Sequence, residues 1–495
     1  MNLMMIQTDA NRAAGTGASS LKFGTSGLRG LVTELSGVPA YAYTRAFAEM
    51  LKEDGATDTA KGMVLVGQDL RGSSPGIARL CCAALQDAGL LPVDCGALPT
   101  PALAYHGSQR GVPAIMVTGS HIPEDRNGLK FYRADGEIDK QDEVRILAHY
   151  AKLNIQEAPD DVQTMRGVVP DIDLLAAYKA RYLDFFGAGT LSGLTVGVYQ
   201  HSSVARDALI EVIETLGARA VPLARAMGFI PVDTEALRVE DEILARQWAD
   251  EMVLDAIVST DGDADRPLIA DGRGTFLRGD LVGAITARHL NAETVVTPVT
   301  SNSALEASGA FKNVLRTKVG SPYVIEGMVE AERNGGGVIV GFEANGGVLL
   351  GSAIYRGAHH LAALPTRDAM LPILCTLNEI AARSQPLARI MADFRFKAAA
   401  SNRLKDVASE KTGIFLSRLQ QDAAFRSDMF AALGGVAGFD ARDGLRVTAN
   451  NSEIVHFRAS GNAPELRVYV EAASQSRAEN LLDWGLSVAA QQIES

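Results

Sequence analysis

Short β-branched runs alternate with longer amphipathic segments along most of this chain, and several of the runs end abruptly in polar, glycine-bearing loops. A β-branched run has the period of a strand and the amphipathic stretch after it has that of a helix, so the pattern predicts βα units built on parallel sheets and an α/β fold class. One unit opens with MVLVG (63–67), continues as a helix from Pro75 to Ala88 capped by Ser73 and Ser74, and returns as LPVDCG. A second runs from TVGVY (195–199) through a helix near 204–216 to ARAVPL, and a third from TVVTPVTSNSALEA to GGVIVGFEANGG. These look like three copies of one plan. After about residue 385 the texture changes to a helical stretch followed by GLRVTANNSEIVHFRASGNAPELRVYVEA, whose alternation suits an antiparallel sheet, and Ser476 to Ala490 reads as a closing helix.

At 495 residues the chain is too long for one hydrophobic core. Boundaries fall near residues 155, 275 and 385, giving a mobile N-terminal tail (1–20) and four domains: 21–155, 156–275, 276–385 and 386–495. The tail is rich in Ala, Gly, Ser and Thr. Net charge is −12, with no run of Lys and Arg dense enough to hold nucleic acid, so any bound phosphate must be gripped by a few placed arginines. No basic start followed by an apolar stretch and no span of some 18 apolar residues is present, which argues against secretion and membrane insertion and for a cytoplasmic protein. Cys81, Cys82, Cys95 and Cys375 have neither CxxC nor metal-ligand spacing and are expected as reduced core residues.

Four segments carry chemistry. In AIMVTGSHIPEDRNGLKFY the strand Ala114 to Val117 runs into a polar turn that should expose the Ser120 hydroxyl at a strand's carboxyl end, where open α/β sheets bind ligands; the alternative is a turn serine. His121 is a polariser of that hydroxyl or a loop imidazole, and Lys130 a phosphate partner, a proton acceptor or a solvated lysine. In DAIVSTDGDADRPLI, Asp261, Asp263 and Asp265 repel one another unless a hard cation such as Mg²⁺ joins them, and the loop lacks the Glu an EF-hand needs at its twelfth position. VIVGFEANGGVLLG ends a buried strand at Glu343 and Asn345, a carboxylate and an amide suited to sugar hydroxyls, or else forms a Gly-rich hairpin. RASGNAPELR sets Arg458 and Arg467 around Ser460, Gly461 and Asn462, a cradle for a phosphate dianion or an ordinary surface loop. Two lesser segments are KFGTSGLRG, with Thr25, Ser26 and Arg29, and GQDLRGSSP, with Asp69, Arg71 and Ser73 at a helix start that either favours an anion or is capping only.

Taken in order, the segments resemble those of the α-D-phosphohexomutase superfamily, over residues 22 to about 472. KFGTSGLRG resembles its opening motif, TGSHIPEDRNGLK its phosphoserine loop, DGDADR its metal loop, GFEANGG its sugar loop and RASGNAPELR its phosphate loop, and the wording looks most like bacterial phosphomannomutase and phosphoglucomutase members. The resemblance implies three similar mixed-sheet α/β domains and a smaller α+β C-terminal domain around a central cleft. It implies Ser120 as phosphoserine, and Mg²⁺ on Asp261, Asp263, Asp265 and a Ser120 phosphate oxygen. Arg29, His121, Lys130 and Arg266 would surround the transferring group, Glu343 and Asn345 would contact the sugar, and Arg458, Ser460, Gly461, Asn462 and Arg467 would hold the second phosphate. A hexose 1,6-bisphosphate would be the intermediate and activator, and hexose phosphates the partners of a monomer or homodimer, with mannose favoured over glucose. Two departures from the family pattern stand out: Ile122 where Asn usually follows the His, and Asn345 where the sugar loop usually has Ser.

Overall fold

The structure is a computed structural model and describes residues 19–24, 27–56, 60–158, 167–170, 172–460 and 464–494. Most of the tail expected to be mobile, together with Thr25, Ser26, Gly461 and Asn462, therefore lies outside the described residues. The chain is multidomain α/β, as the alternation requires, and it divides into two compact units: residues 1–290 with 345–387, and residues 291–344 with 388–495.

In the first unit, the apolar strand Met63–Gln68 pairs in parallel with Leu91–Ala97 and Ala114–Val117. Arg126–Arg133 then runs antiparallel to Ala114–Val117 and carries Leu28–Leu31 on its other edge, so the sheet is mixed. Its helices Val38–Glu53 and Ser74–Asp87 bury their apolar faces against it around Phe47, Leu85 and Phe131. A second sheet has the order Pro267–Asp271, Ala256–Thr260, Thr195–His201, Arg219–Arg225, with only the first of these antiparallel. Both sheets direct the carboxyl ends of buried parallel strands into loops, and those loops carry the motifs.

In the second unit, Thr294–Pro298 lies between two parallel neighbours, Asn313–Thr317 and Ile339–Phe342. The sequence reading overlooked Asn313–Thr317, because an edge strand with exposed polar positions lacks an apolar run. A five-stranded antiparallel sheet follows, ordered Ala398–Leu404, Leu466–Ala472, Ile454–Ala459, Leu445–Ala449, Val436–Asp440, with helix Gln475–Glu494 closing it. Ala398–Leu404 precedes the helical stretch that was expected to open this region, since its pairing partner lies far along the chain at Leu466–Ala472.

Two smaller expectations fail. Ser73 occupies the N-cap position of helix Ser74–Asp87 without a capping hydrogen bond. Its hydroxyl and that of Ser74 instead receive the Asn127 amide, and Ser74 donates to Asp69. Cys81, Cys82 and Cys375 are buried free thiols, but Cys95 is only half-buried on strand Leu91–Ala97.

Candidate active site

Strand Ala114–Val117 is buried throughout, and three residues beyond its end Ser120 turns the backbone left-handed, with φ 53°. That conformation costs a non-glycine residue roughly 1–3 kcal/mol and persists only where the surroundings fix it. Thr118 Oγ1 accepts the Ser120 amide at 2.8 Å. Ser120 stands at the strand end as the sequence predicts, yet it is 1% exposed, so the expectation of an open hydroxyl is wrong. A second loop covers it.

That loop is Asp261 to Arg266, between strands Ala256–Thr260 and Pro267–Asp271, with its own left-handed residue, Ala264 at φ 61°. Asp261, Asp263 and Asp265 are fully buried and offer ligand oxygens that all lie within 4.8 Å of one another. Ser120 Oγ donates to Asp261 Oδ2 at 2.5 Å, and His121 Nδ1 lies 3.2 Å from the same hydroxyl. Lys130, on strand Arg126–Arg133, donates to Asp263 Oδ2 and Asp265 Oδ2 at 2.6 Å each. Thr100 Oγ1 also donates to Asp263 Oδ2, at 2.5 Å. Arg266 Nε stands 3.7 Å from Asp265 Oδ1.

The charges of this cluster set one another. Burial lifts the Asp261 carboxyl well above the usual range, and Asp263 and Asp265 push it further. Burial would do the same to Asp265, but Arg367, Lys130 and Arg266 outweigh it and hold that carboxyl low. Burial disfavours the Lys130 ammonium, and Asp263 and Asp265 overcome it and raise the group, so Lys130 is a cation here and not a ready proton acceptor. Burial, with Arg266 and Arg29 alongside, drives His121 far below the ordinary histidine range and leaves a neutral ring. Burial, then Arg266 and Arg367, lowers the Arg29 guanidinium to about 10. Asp263 Oδ1, Asp265 Oδ1 and Arg29 Nε make no hydrogen bond among the described residues. Buried carboxylate oxygens without a hydrogen bond, in a triad whose ligand oxygens lie within 4.8 Å of one another, fit a divalent cation.

Arg367 belongs to this cluster and escaped the sequence reading. It stands one residue before the end of strand Leu364–Asp368 and donates from Nη2 to Asp265 Oδ2 at 2.8 Å. The strand-end rule that singled out Ser120 would have found it, had the run LPTRDAM been read as a strand. In the same unit Asn345 is buried, with its side-chain oxygen accepting the Gly347 amide at 2.9 Å and its carbonyl accepting the Thr234 hydroxyl at 2.8 Å.

The second unit holds the remaining predicted residues. Glu343 is buried directly after strand Ile339–Phe342. Arg458 and Arg467 are register partners on adjacent antiparallel strands, so their side chains share a face. Arg403 is the partner of Arg467 on the other side, which makes a row of three arginines across three strands. Like charges directly opposite destabilise a sheet unless anions meet them. Asp443 Oδ2 takes Arg458 Nε at 2.7 Å, while Glu465 lies 3.8 Å from Arg467 and 3.4 Å from Arg403. Ser460 donates its amide to the Glu465 carbonyl at 2.9 Å, tying the loop's two ends together. Arg403 was not foreseen, because only strand register brings it beside residues more than fifty positions away.

Models of the phosphoglucomutase/phosphomannomutase family match this chain in three places: alpha/beta/alpha domain I over residues 20–157, alpha/beta/alpha domain III over 278–396 and the C-terminal domain over 415–483. A phosphomannomutase of Sinorhizobium fredii is 48% identical over 467 residues, covering 94% of this chain and 98% of that protein. A phosphomannomutase of Salmonella muenchen is 42% identical, covering 95% of each. The crystal structure of parafusin, a Paramecium phosphoglucomutase in its open form, shares the fold with a TM-score of 0.73 at 17% identity, covering 95% of both chains.

Proposed function

Because the chain belongs to the phosphoglucomutase/phosphomannomutase family, we propose that it interconverts mannose 6-phosphate and mannose 1-phosphate, carrying the phosphoryl group on Ser120. The observation that supports this reading most is the Ser120 hydroxyl, 2.5 Å from Asp261 within a buried carboxylate triad flanked by Lys130, Arg29, Arg266 and Arg367. Phosphoryl transfer asks of a protein positioning and charge neutralisation more than covalent chemistry, and this cluster supplies both.

Phospho-Ser120 gives its phosphoryl group to a free sugar hydroxyl: the phosphorus bond to Oγ breaks as the bond to the sugar oxygen forms, the sugar hydroxyl gives up its proton and the departing Ser120 Oγ takes one up, and a bisphosphorylated hexose results. The cations beside the triad spread the charge on the phosphoryl oxygens. The intermediate then reorients and returns its other phosphate to Ser120. In that half the Oγ proton leaves along the hydroxyl's existing hydrogen bond to Asp261 Oδ2, and the sugar oxygen freed from phosphorus takes up a proton. Asp261, Asp263 and Asp265 would hold Mg²⁺ together with a phosphate oxygen on Ser120, and the metal would supply electrophilic polarisation of the phosphoryl group. Arg458 and Arg467 would grip the idle phosphate through charge-assisted donors, which do not discriminate between the two ends of the sugar. A non-catalytic sugar-phosphate sensor has no use for a buried serine facing three carboxylates.

A coupled assay with mannose 1-phosphate and glucose 1-phosphate tests the proposal. Turnover of mannose 1-phosphate with the larger kcat/KM supports it, a glucose preference replaces it with a phosphoglucomutase, and turnover of neither sugar ends it. The division of labour has its own test. Arg467→Ala is expected to raise the KM for both sugars by similar factors, removing roughly 2 to 5 kcal/mol of binding where the contact is desolvated and less where water enters. Glu343→Ala is expected to shift the ratio between the sugars. A change of sugar preference in Arg467→Ala would show that the arginine row reads the sugar.

A further inference from the structure

Asp69, Arg71 and Ser73 stand at a helix start, as an anion site would, but Asp69 and Arg71 turn inward. Arg71 is fully buried, and its guanidinium spends its protons on the backbone of one segment. Nη1 donates to the carbonyls of Pro123 and Arg126 at 2.7 and 2.9 Å, and Nη2 to those of Ser120 and Ile122 at 3.0 and 2.5 Å. Nε donates to Asp69 Oδ2 at 3.2 Å, and Asp69 also accepts the hydroxyls of Thr118 at 2.8 Å and Ser74 at 2.5 Å. The Phe229 ring lies over the guanidinium at 3.9 Å. No side chain fits between these parts. A Cβ on Gly119 would stand 2.5 Å from Arg71 Cζ, and one on Gly262 would stand 2.8 Å from the Ser120 carbonyl oxygen and 3.0 Å from the Phe229 ring.

We propose that Arg71, clamped by Phe229, is the positioning residue that sets where Ser120 Oγ stands relative to the aspartate loop. Four carbonyls converging on one guanidinium hold the left-handed turn at Ser120, and Phe229 presses that guanidinium toward Gly119 while packing on Gly262 of the aspartate loop. The backbone of the serine loop and that of the aspartate loop are thereby keyed to the same two side chains. Only the planar fork of an arginine meets such a set of acceptors, because a lysine offers a compact ammonium on a flexible stem. Ile122, which replaces a polar residue at its position in the family pattern, takes part through its carbonyl, so its side chain need not be polar.

The inference rests on the phosphoserine reading, and wild-type turnover checks that reading separately. In the full chain, Arg71→Lys is expected to lower kcat about 100-fold, the loss attached to a displacement of about 1 Å, with KM changed less than about threefold. Added guanidinium ion is expected to restore Arg71→Ala by about tenfold or more, which a purely structural role would not produce. Phe229→Leu, which keeps apolar burial and loses the flat ring face, is expected to lower kcat about tenfold at an unchanged Tm. A folded Arg71→Lys with wild-type kcat, or with its loss in KM, overturns the proposal. If Arg71→Lys does not fold, wild-type kcat in Phe229→Leu overturns it. A wild-type protein inactive on every hexose phosphate sinks the mutase reading instead.

Discussion

Ser120→Ala is expected to abolish mutase turnover, with kcat lowered on the order of 10⁴-fold or more, as loss of a covalent nucleophile does in other enzymes. The fold is expected to survive, because the substitution keeps the Thr118 contact, which uses the Ser120 backbone amide. Alanine also meets the same left-handed backbone penalty that serine already bears. Removal of the hydroxyl withdraws a hydrogen bond from the buried Asp261 carboxylate, so a modest fall in Tm should accompany the loss of activity. Wild-type protein incubated with a hexose 1,6-bisphosphate should gain one phosphate on the peptide containing Ser120, and Ser120→Ala should gain none. Wild-type turnover by Ser120→Ala, or phosphate on another residue, would remove the basis of the mechanism.

Chelation of divalent metal is expected to stop the reaction, and Mg²⁺ to restore it, since three buried carboxylates and a phosphoserine concentrate more negative charge than the neighbouring cations balance. Asp263→Asn is the informative variant. Asp263 Oδ1 makes no hydrogen bond among the described residues, whereas its Oδ2 already serves Lys130 and Thr100. Calorimetric titration of Mg²⁺ into the full chain should show affinity lowered on the order of 10- to 100-fold or more in this variant, independently of any activity measurement. Full activity of Asp263→Asn without added metal would refute the metal site.

The loops that hold the chemistry were legible because their signals are local. AIMV followed by TGSH, and IVST followed by DGDADR, each announce a buried strand that stops at polar residues, and both lie where the sequence placed them. Alternation in LRVTA, IVHFRA and LRVYVEA likewise marks half-buried antiparallel strands. Arg367 and Arg403 carried no such mark. Each sits on a strand whose own residues are too mixed to declare a period, and each gains meaning from a residue brought near by folding, Asp265 for one and Arg467 for the other. GQDLRGSSP leaves two readings open: Asp, Arg and Ser at a helix start suit an anion from solvent or a cap equally well on paper, and only the tertiary structure shows that Arg71 is buried against the backbone of another loop.

The sequence by itself therefore determined the α/β class and the strand ends at which Ser120 and the three aspartates stand, because hydrophobic period and turn chemistry act over a few residues. Tertiary structure alone decided that the Ser120 hydroxyl is buried, that Lys130 is a cation between two carboxylates, that Arg71 is a strut and that three arginines line one face of a sheet. Ser120 and Asp261 are 141 positions apart, and Lys130 and Asp265 are 135 apart. Desolvation and charge pairing depend on which distant groups share a low-dielectric interior, and no local pattern of residues encodes that.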